Sequence, residues 1–292
     1  MTDSTSESES FRARDPAGTA WSLDAFRDHL RQTRVAAGQA YRLSLRNRWA
    51  PALVTLFAAF GLLVVGFGGT AAGPRRVGAV VVSLAGLATY LLPLAALSFG
   101  YDAIVGADEA GWLDVTFALP VARSTVVAGT YLGRAVTLAG ATALGFGAAG
   151  GALLWLASGG AALYARFLLG ATLTALAFLA VATLLSAVAA EKSHALGMAL
   201  LAWVWFVFLH DLVAITAVAT LDLPTLALSA FVLGNPADCF RVLVLAGVNA
   251  RGGMAAALAT TGLPPAVVVT ALIGWCVVPV AVAARLVDSR SV

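Results

Sequence analysis

From residue 50 onward, long apolar runs alternate with short polar breaks. Six of these runs, 51–69, 77–99, 136–157, 167–189, 195–219 and 265–284, are roughly 19 to 25 residues long, enough for a tilted helix to cross a hydrocarbon core of about 30 Å. The pattern predicts an all-α polytopic membrane protein with six transmembrane helices over residues 50–292. Pro265 suits the first turn of the last span, where no hydrogen bond is lost, and Pro279 is placed to kink it. Residues 1–20 are polar, with a Ser-Thr-Ser-Glu-Ser-Glu-Ser run, and read as a disordered tail without the apolar core of a cleavable signal. Over 21–49 the period changes. Phe26, Leu30, Ala37, Tyr41, Leu45 and Trp49 recur at helical spacing while Arg27, Arg31, Arg34, Arg42, Arg46 and Arg48 take much of the other face, predicting an amphipathic helix capped by Ser22 on the cytoplasmic leaflet.

Composition narrows the chemistry. The chain is 60% hydrophobic and 11% charged, with a mean hydropathy of +0.90, too little polar material to cover a soluble globule. Its one lysine, Lys192, follows Val188-Ala189-Ala190-Glu191 and not a glycine-rich turn, so the chain holds no P-loop. Cys239, Cys276, His29, His194 and His210 are too scattered for a Cys-x-x-Cys or His-Glu-x-x-His metal motif. Neither catalysis nor a resident metal or other cofactor is expected in this chain. The net charge of +3 is concentrated near the amino terminus, which points to a membrane surface and not to nucleic acid. With that terminus cytoplasmic, the inner side takes eight arginines before the first span plus Arg123, Arg134, Lys192, Arg285 and Arg290. The outer side takes Arg75, Arg76, Arg166, Arg241 and Arg251, so the basic excess predicts both termini inside.

Two loops exceed what a hairpin needs. The cytoplasmic loop, 100–135, contains Asp108, Glu109, Gly111, Trp112, Leu113, Asp114, Thr116, Phe117 and Leu119 before Pro120 and Arg123. The apolar members give a short helix one greasy face, and the early acids complement its dipole, so the segment suits a groove on a cytoplasmic partner or an interfacial anchor through Trp112. The external loop, 220–264, contains apolar pieces at 226–233 and 242–248, too short to span but long enough for re-entrant or interfacial helices. Between them Asn235, Pro236, Asp238 and Arg241 suggest a tight turn that presents charge to an external partner. His210 and Asp211 fall inside the fifth span, roughly 24 Å from its cytoplasmic end, where a carboxylate must face protein or water. They read either as part of a translocation path or as interhelical hydrogen bonding. Gly129/Gly133 and Gly147/Gly151 place glycines four apart, the spacing of close helix crossings.

The basic helix, two spans, and the acid-x-x-Gly-x-Leu-Asp then Leu-Pro-Val-x-Arg segment formed by Asp108 or Glu109, Gly111, Leu113, Asp114, Leu119, Pro120, Val121 and Arg123 resemble the ABC-2 family of ABC transporter permeases. Trp112 departs from the threonine or serine common after that glycine. The resemblance implies that this segment is a coupling helix for a separate P-loop ABC ATPase, which binds ATP and Mg²⁺, and that two copies of the chain form a homodimer in the inner membrane. The stretch 234–243 and Ser98-Phe99-Gly100-Tyr101-Asp102 resemble the NosY-type permeases of nitrous oxide reductase maturation. That narrower likeness implies a NosF-like ATPase, a NosD-like extracytoplasmic partner, copper-site assembly and denitrification. An ABC-2 exporter for a lipid, drug or ion is the alternative. An intramembrane serine hydrolase using His210 lacks a Gly-x-Ser-x-Gly elbow.

Overall fold

The structure, a computed structural model, describes residues 23–67, 74–109, 111, 123–157, 159–220, 224–246, 248 and 262–289. Among the described residues, six helices are long and apolar enough to cross a membrane. They are Trp49–Phe67, Pro74–Gly100, Arg123–Leu156, Ala161–Val188, a fifth made of Lys192–Val204, a π turn Trp205–Leu209 and His210–Thr220, and Pro265–Asp288. They are called spans one to six below. Each corresponds to one predicted apolar run. The tail and cap expectations at 1–22 lie outside the described residues.

The third span begins at Arg123, well before the 136 expected, so much of the predicted cytoplasmic loop is helix. Arg123, Ser124, Thr125 and Arg134 dilute its hydropathy, but nothing in the sequence breaks the helix. Its added turns receive the amino-terminal helix, Leu23–Arg46, which packs along it. A Cβ on Gly129 would stand 3.0 Å from the Thr33 carbonyl oxygen, and one on Gly133 would stand 3.0 Å from the Tyr41 backbone nitrogen. The Gly129/Gly133 pair is therefore a seat for that helix, and backbone approach holds the crossing. Gly147 and Gly151 have open space where a Cβ would go.

Span one packs on span three, span two on span four, and span six on spans four and three. An aromatic ladder runs through this core. Phe57 stacks on Phe146 at 5.2 Å between ring centres, Phe146 meets Phe167 edge-on at 5.4 Å, and Phe167 reaches Phe240 at 6.0 Å. All four rings are fully buried. Offset and edge-to-face aromatic pairs add about 0.5–1.5 kcal/mol each to the burial itself, so the ladder ties spans one, three and four to the segment beyond span five.

That segment forms two short helices, Thr225–Leu233 and Pro236–Leu245, bent by 109° at Gly234-Asn235. The second packs on spans two, four and six. The predicted external loop thus folds back against the bundle as a sharply bent pair of helices, called the re-entrant pair below, whose length and composition also fit a broken span.

Candidate functional site

Polar side chains gather at two ends of the bundle. At the end where the six-span count brings both termini together, the turn after span two is tied to spans three, four and five. Arg134 pairs with Asp102 at 2.7 Å, lies over the Phe99 ring and donates to the Phe99 carbonyl. Ser186 Oγ accepts from the backbone amides of Ile104 and Val105 at 2.9 and 3.1 Å. These amides are unpaired donors at the start of the short helix Val105–Glu109, so a hydroxyl from span four satisfies them. Glu109 Oε1 accepts from the backbone amide of Lys192 at 2.7 Å, and Glu109 Oε2 lies 3.4 Å from Lys192 Nζ. A carboxylate at the first turn of span five opposes the positive end of its dipole. At the start of span three, the Ser124 amide donates to Asp288 Oδ1 at 3.0 Å, which ties it to the end of span six.

The predicted coupling segment starts here. Gly111 adopts φ 70°, a left-handed conformation open to glycine at no steric cost, and its amide donates to the Asp108 carbonyl at 2.8 Å. The short helix Val105–Glu109 is thus followed by a left-handed turn at Gly111, and the rest of the expected coupling helix, to Leu119, lies outside the described residues. Trp112, Leu113, Asp114 and Pro120 lie outside the described residues. Arg123 opens span three. The pattern reading picked Asp108, Glu109 and Gly111 but missed Asp102, Arg134, Ser186 and Lys192, whose signal is a charged or hydroxyl residue at the end of an apolar run.

At the opposite end, the structure brings together two sets that the sequence keeps apart. Asp211 of span five and Asp238 of the re-entrant pair share one guanidinium: Arg241 Nη1 lies 2.7 Å from both Asp211 oxygens and 3.0 Å from Asp238 Oδ1. His210 Nδ1 sits 3.0 Å from Asp238 Oδ2 and 3.1 Å from Asn235 Nδ2. Asn235 also donates to the Phe206 carbonyl at 2.8 Å, inside the π turn, while its Oδ1 accepts from the Ala237 amide and caps the second short helix. Asn235 is 0% exposed and Asp238 3%. Pro236 is also buried, so these residues do not form the outward surface expected of a partner-binding turn. Their polar atoms are used inside the chain because the 109° break turns the helix start toward span five. His210, Asp211 and Asp238 place three ligand-type atoms within 4.8 Å of one another, and the Arg241 guanidinium already pairs with both carboxylates. The cluster is a buried clamp.

The ABC-2 family transporter model matches residues 8–292. The chain belongs to the ABC-2 family. A relative in Pseudomonas aeruginosa named "Probable ABC transporter permease protein NosY" is 41% identical over 216 residues, covering 70% of this chain and 78% of that protein. One of the same name in Stutzerimonas stutzeri is 37% identical over 249 residues, covering 79% and 88%. The chain is thus a multi-pass, NosY-like permease subunit of an ABC transporter, and its family implies an ABC ATPase partner.

Proposed function

We propose that this permease links ATP hydrolysis by a separate, NosF-like ABC ATPase to copper-site maturation of nitrous oxide reductase, through a NosD-like extracytoplasmic partner. The likeness to two NosY permeases over most of their length carries this reading. The chain works in the inner membrane as a homodimer with both termini cytoplasmic, and ATP and Mg²⁺ are bound by the ATPase.

The ATPase meets the segment that starts at Asp108, Glu109 and Gly111, continues through Trp112, Leu113, Asp114 and Pro120, and ends at Arg123. Support comes from the joint at that end, where Val105–Glu109 is held by the Ser186 hydroxyl of span four and by the amide and ammonium of Lys192 at the start of span five. A docking element fixed on two helices passes force to the bundle without first uncoiling. Asn235, Asp238 and Arg241, together with His210 and Asp211, hold the re-entrant pair in position, and the partner meets the exposed start of that pair around Thr225 and Leu226.

Deleting the chain in its own host should leave nitrous oxide reductase short of copper. A normal copper content there would assign the permease to another substrate. Gly111→Val and Asp114→Arg should reduce co-purification of the ATPase from solubilised membranes while leaving the amount of inserted permease unchanged. Equal recovery of the ATPase with both variants would remove this segment from the docking site.

A further inference from the structure

Span five is held more by specific contacts than by burial. In its most apolar stretch 17% is buried, close to the 22% of spans one and six and against 61% for spans two and four, so packing alone ties it loosely to the rest of the chain. Specific contacts at its two ends do the holding. At its foot, Ala195 is buried with Val105 and Ala189, and Met198 and Tyr101 pack against them. The Lys192 stem crosses Gly106, where a Cβ would come within 3.2 Å of Lys192 Cε. Glu109 then takes both the amide and the ammonium of Lys192. At the outer part, Phe206, His210 and Asp211 are gripped by Asn235, Asp238 and Arg241. Between the two ends, Trp203 Nε1 donates to the Tyr90 carbonyl at 3.1 Å.

We propose that span five is the element that carries movement from the ATPase-side joint to the re-entrant pair, and that Lys192 is the positioning residue at its foot. The inference rests on the reading above, that the segment beginning at Asp108 receives the ATPase. Backbone hydrogen bonds run on from Lys192–Val204 through the π turn into His210–Thr220, so a displacement of the Val105–Glu109 turn passed to Lys192 is carried along the span to Asp211. The clamp then obliges the re-entrant pair to follow, since separating Asp211 from Arg241 breaks a part-buried ion pair and leaves the buried Asp238 and Arg241 charges unbalanced. The ion pair at the foot is half-exposed and weak in energy, but the apolar contact, the glycine and the amide hydrogen bond fix its geometry.

The test measures the outer movement directly. The complete permease–ATPase complex is reconstituted in nanodiscs, with spin labels at Thr225→Cys and Ala162→Cys in a Cys239→Ala, Cys276→Ala background, and the label-to-label distance is recorded with and without ATP and Mg²⁺. The unmodified foot and Lys192→Arg should show an ATP-dependent change in distance. Lys192→Ala and Gly106→Val should lower the population of the shifted distance about 3-fold, the scale an exposed ion pair supports, while the ATPase still co-purifies. An unchanged response in both variants, with the ATPase bound, overturns the role of Lys192 and leaves the docking assignment standing. Absence of any ATP-dependent change in the unmodified complex overturns transmission through span five. Failure of the ATPase to bind the unmodified permease instead overturns the docking reading beneath it.

Discussion

At the scale of single residues, the clamp is decided by which polar atoms have no substitute partner. Arg241 is the one guanidinium shared by Asp211 and Asp238, so Arg241→Met leaves two carboxylates facing each other in a largely buried place. Removing one partner of a buried ion pair typically costs about 3–5 kcal/mol. Arg241→Met should lower the melting temperature of the purified permease sharply, with Asp211→Asn milder because Asp211 is the more exposed carboxylate. Equal melting for both variants and the unmodified chain would mean that the ion pairs contribute nothing. Asn235→Leu removes the cap on Ala237 and the donor to the Phe206 carbonyl, a loss of about 1–3 kcal/mol for buried polar groups left unmatched. Both halves of this cluster are visible as residues in the sequence, because an ionisable group inside or beside an apolar run stands out. Their pairing is not visible. His210 and Asp211 lie on one helix and Asn235, Asp238 and Arg241 on another, and only the 109° break between two pieces too short to span turns the second set inward. Without that angle, the same residues read as an outward-facing turn.

At the scale of elements, helix existence follows from apolar period and length, whereas helix starts depend on partners. Span three shows the difference. Residues 123–135 are too polar to be taken as lipid-facing, and they are helical because the amino-terminal helix covers them. The glycines distinguish chance spacing from contact. Gly133→Leu would drive a side chain into the backbone of the amino-terminal helix, and overpacking of this kind costs about 1–3 kcal/mol. Trypsin cleavage at the exposed Arg34, Arg42 and Arg46 should then speed up several-fold in the detergent-solubilised protein. Gly147→Ala serves as the contrast, since open space surrounds that position and alanine favours a helix over glycine by about 1 kcal/mol. Unchanged cleavage in Gly133→Leu would show that the helix is not seated there. The π turn at Trp205–Leu209 carries no sequence signal, because its residues are ordinary apolar ones. Its place is marked only by what it meets, the Asn235 side chain on the Phe206 carbonyl.

At the scale of the whole molecule, the distribution of basic residues predicts the direction of insertion, and two of the residues that count against it have partners inside the chain. Arg241 is neutralised by Asp211 and Asp238. Arg76 Nη2 donates to the Val65 carbonyl at 3.4 Å, near the end of span one, where the last carbonyls of a helix lack partners. Two of the five outer basic residues therefore do structural work, as Arg134 and Lys192 do at the terminal end. Because orientation follows Lys and Arg in the short loops, both termini should lie in the cytoplasm. Six crossings make this a single choice, since fixing one site fixes the rest. Ala162, Thr225, Gln39 and Ser289 are all exposed, the first two at the outer end and the last two at the terminal end. With each replaced in turn by cysteine in a Cys239→Ala, Cys276→Ala background, a membrane-impermeant maleimide added to intact spheroplasts should label Ala162→Cys and Thr225→Cys. Gln39→Cys and Ser289→Cys should react only after the membrane is opened. Labelling of Gln39→Cys or Ser289→Cys from outside would invert the topology, and would place the Val105–Glu109 joint out of reach of any cytoplasmic ATPase.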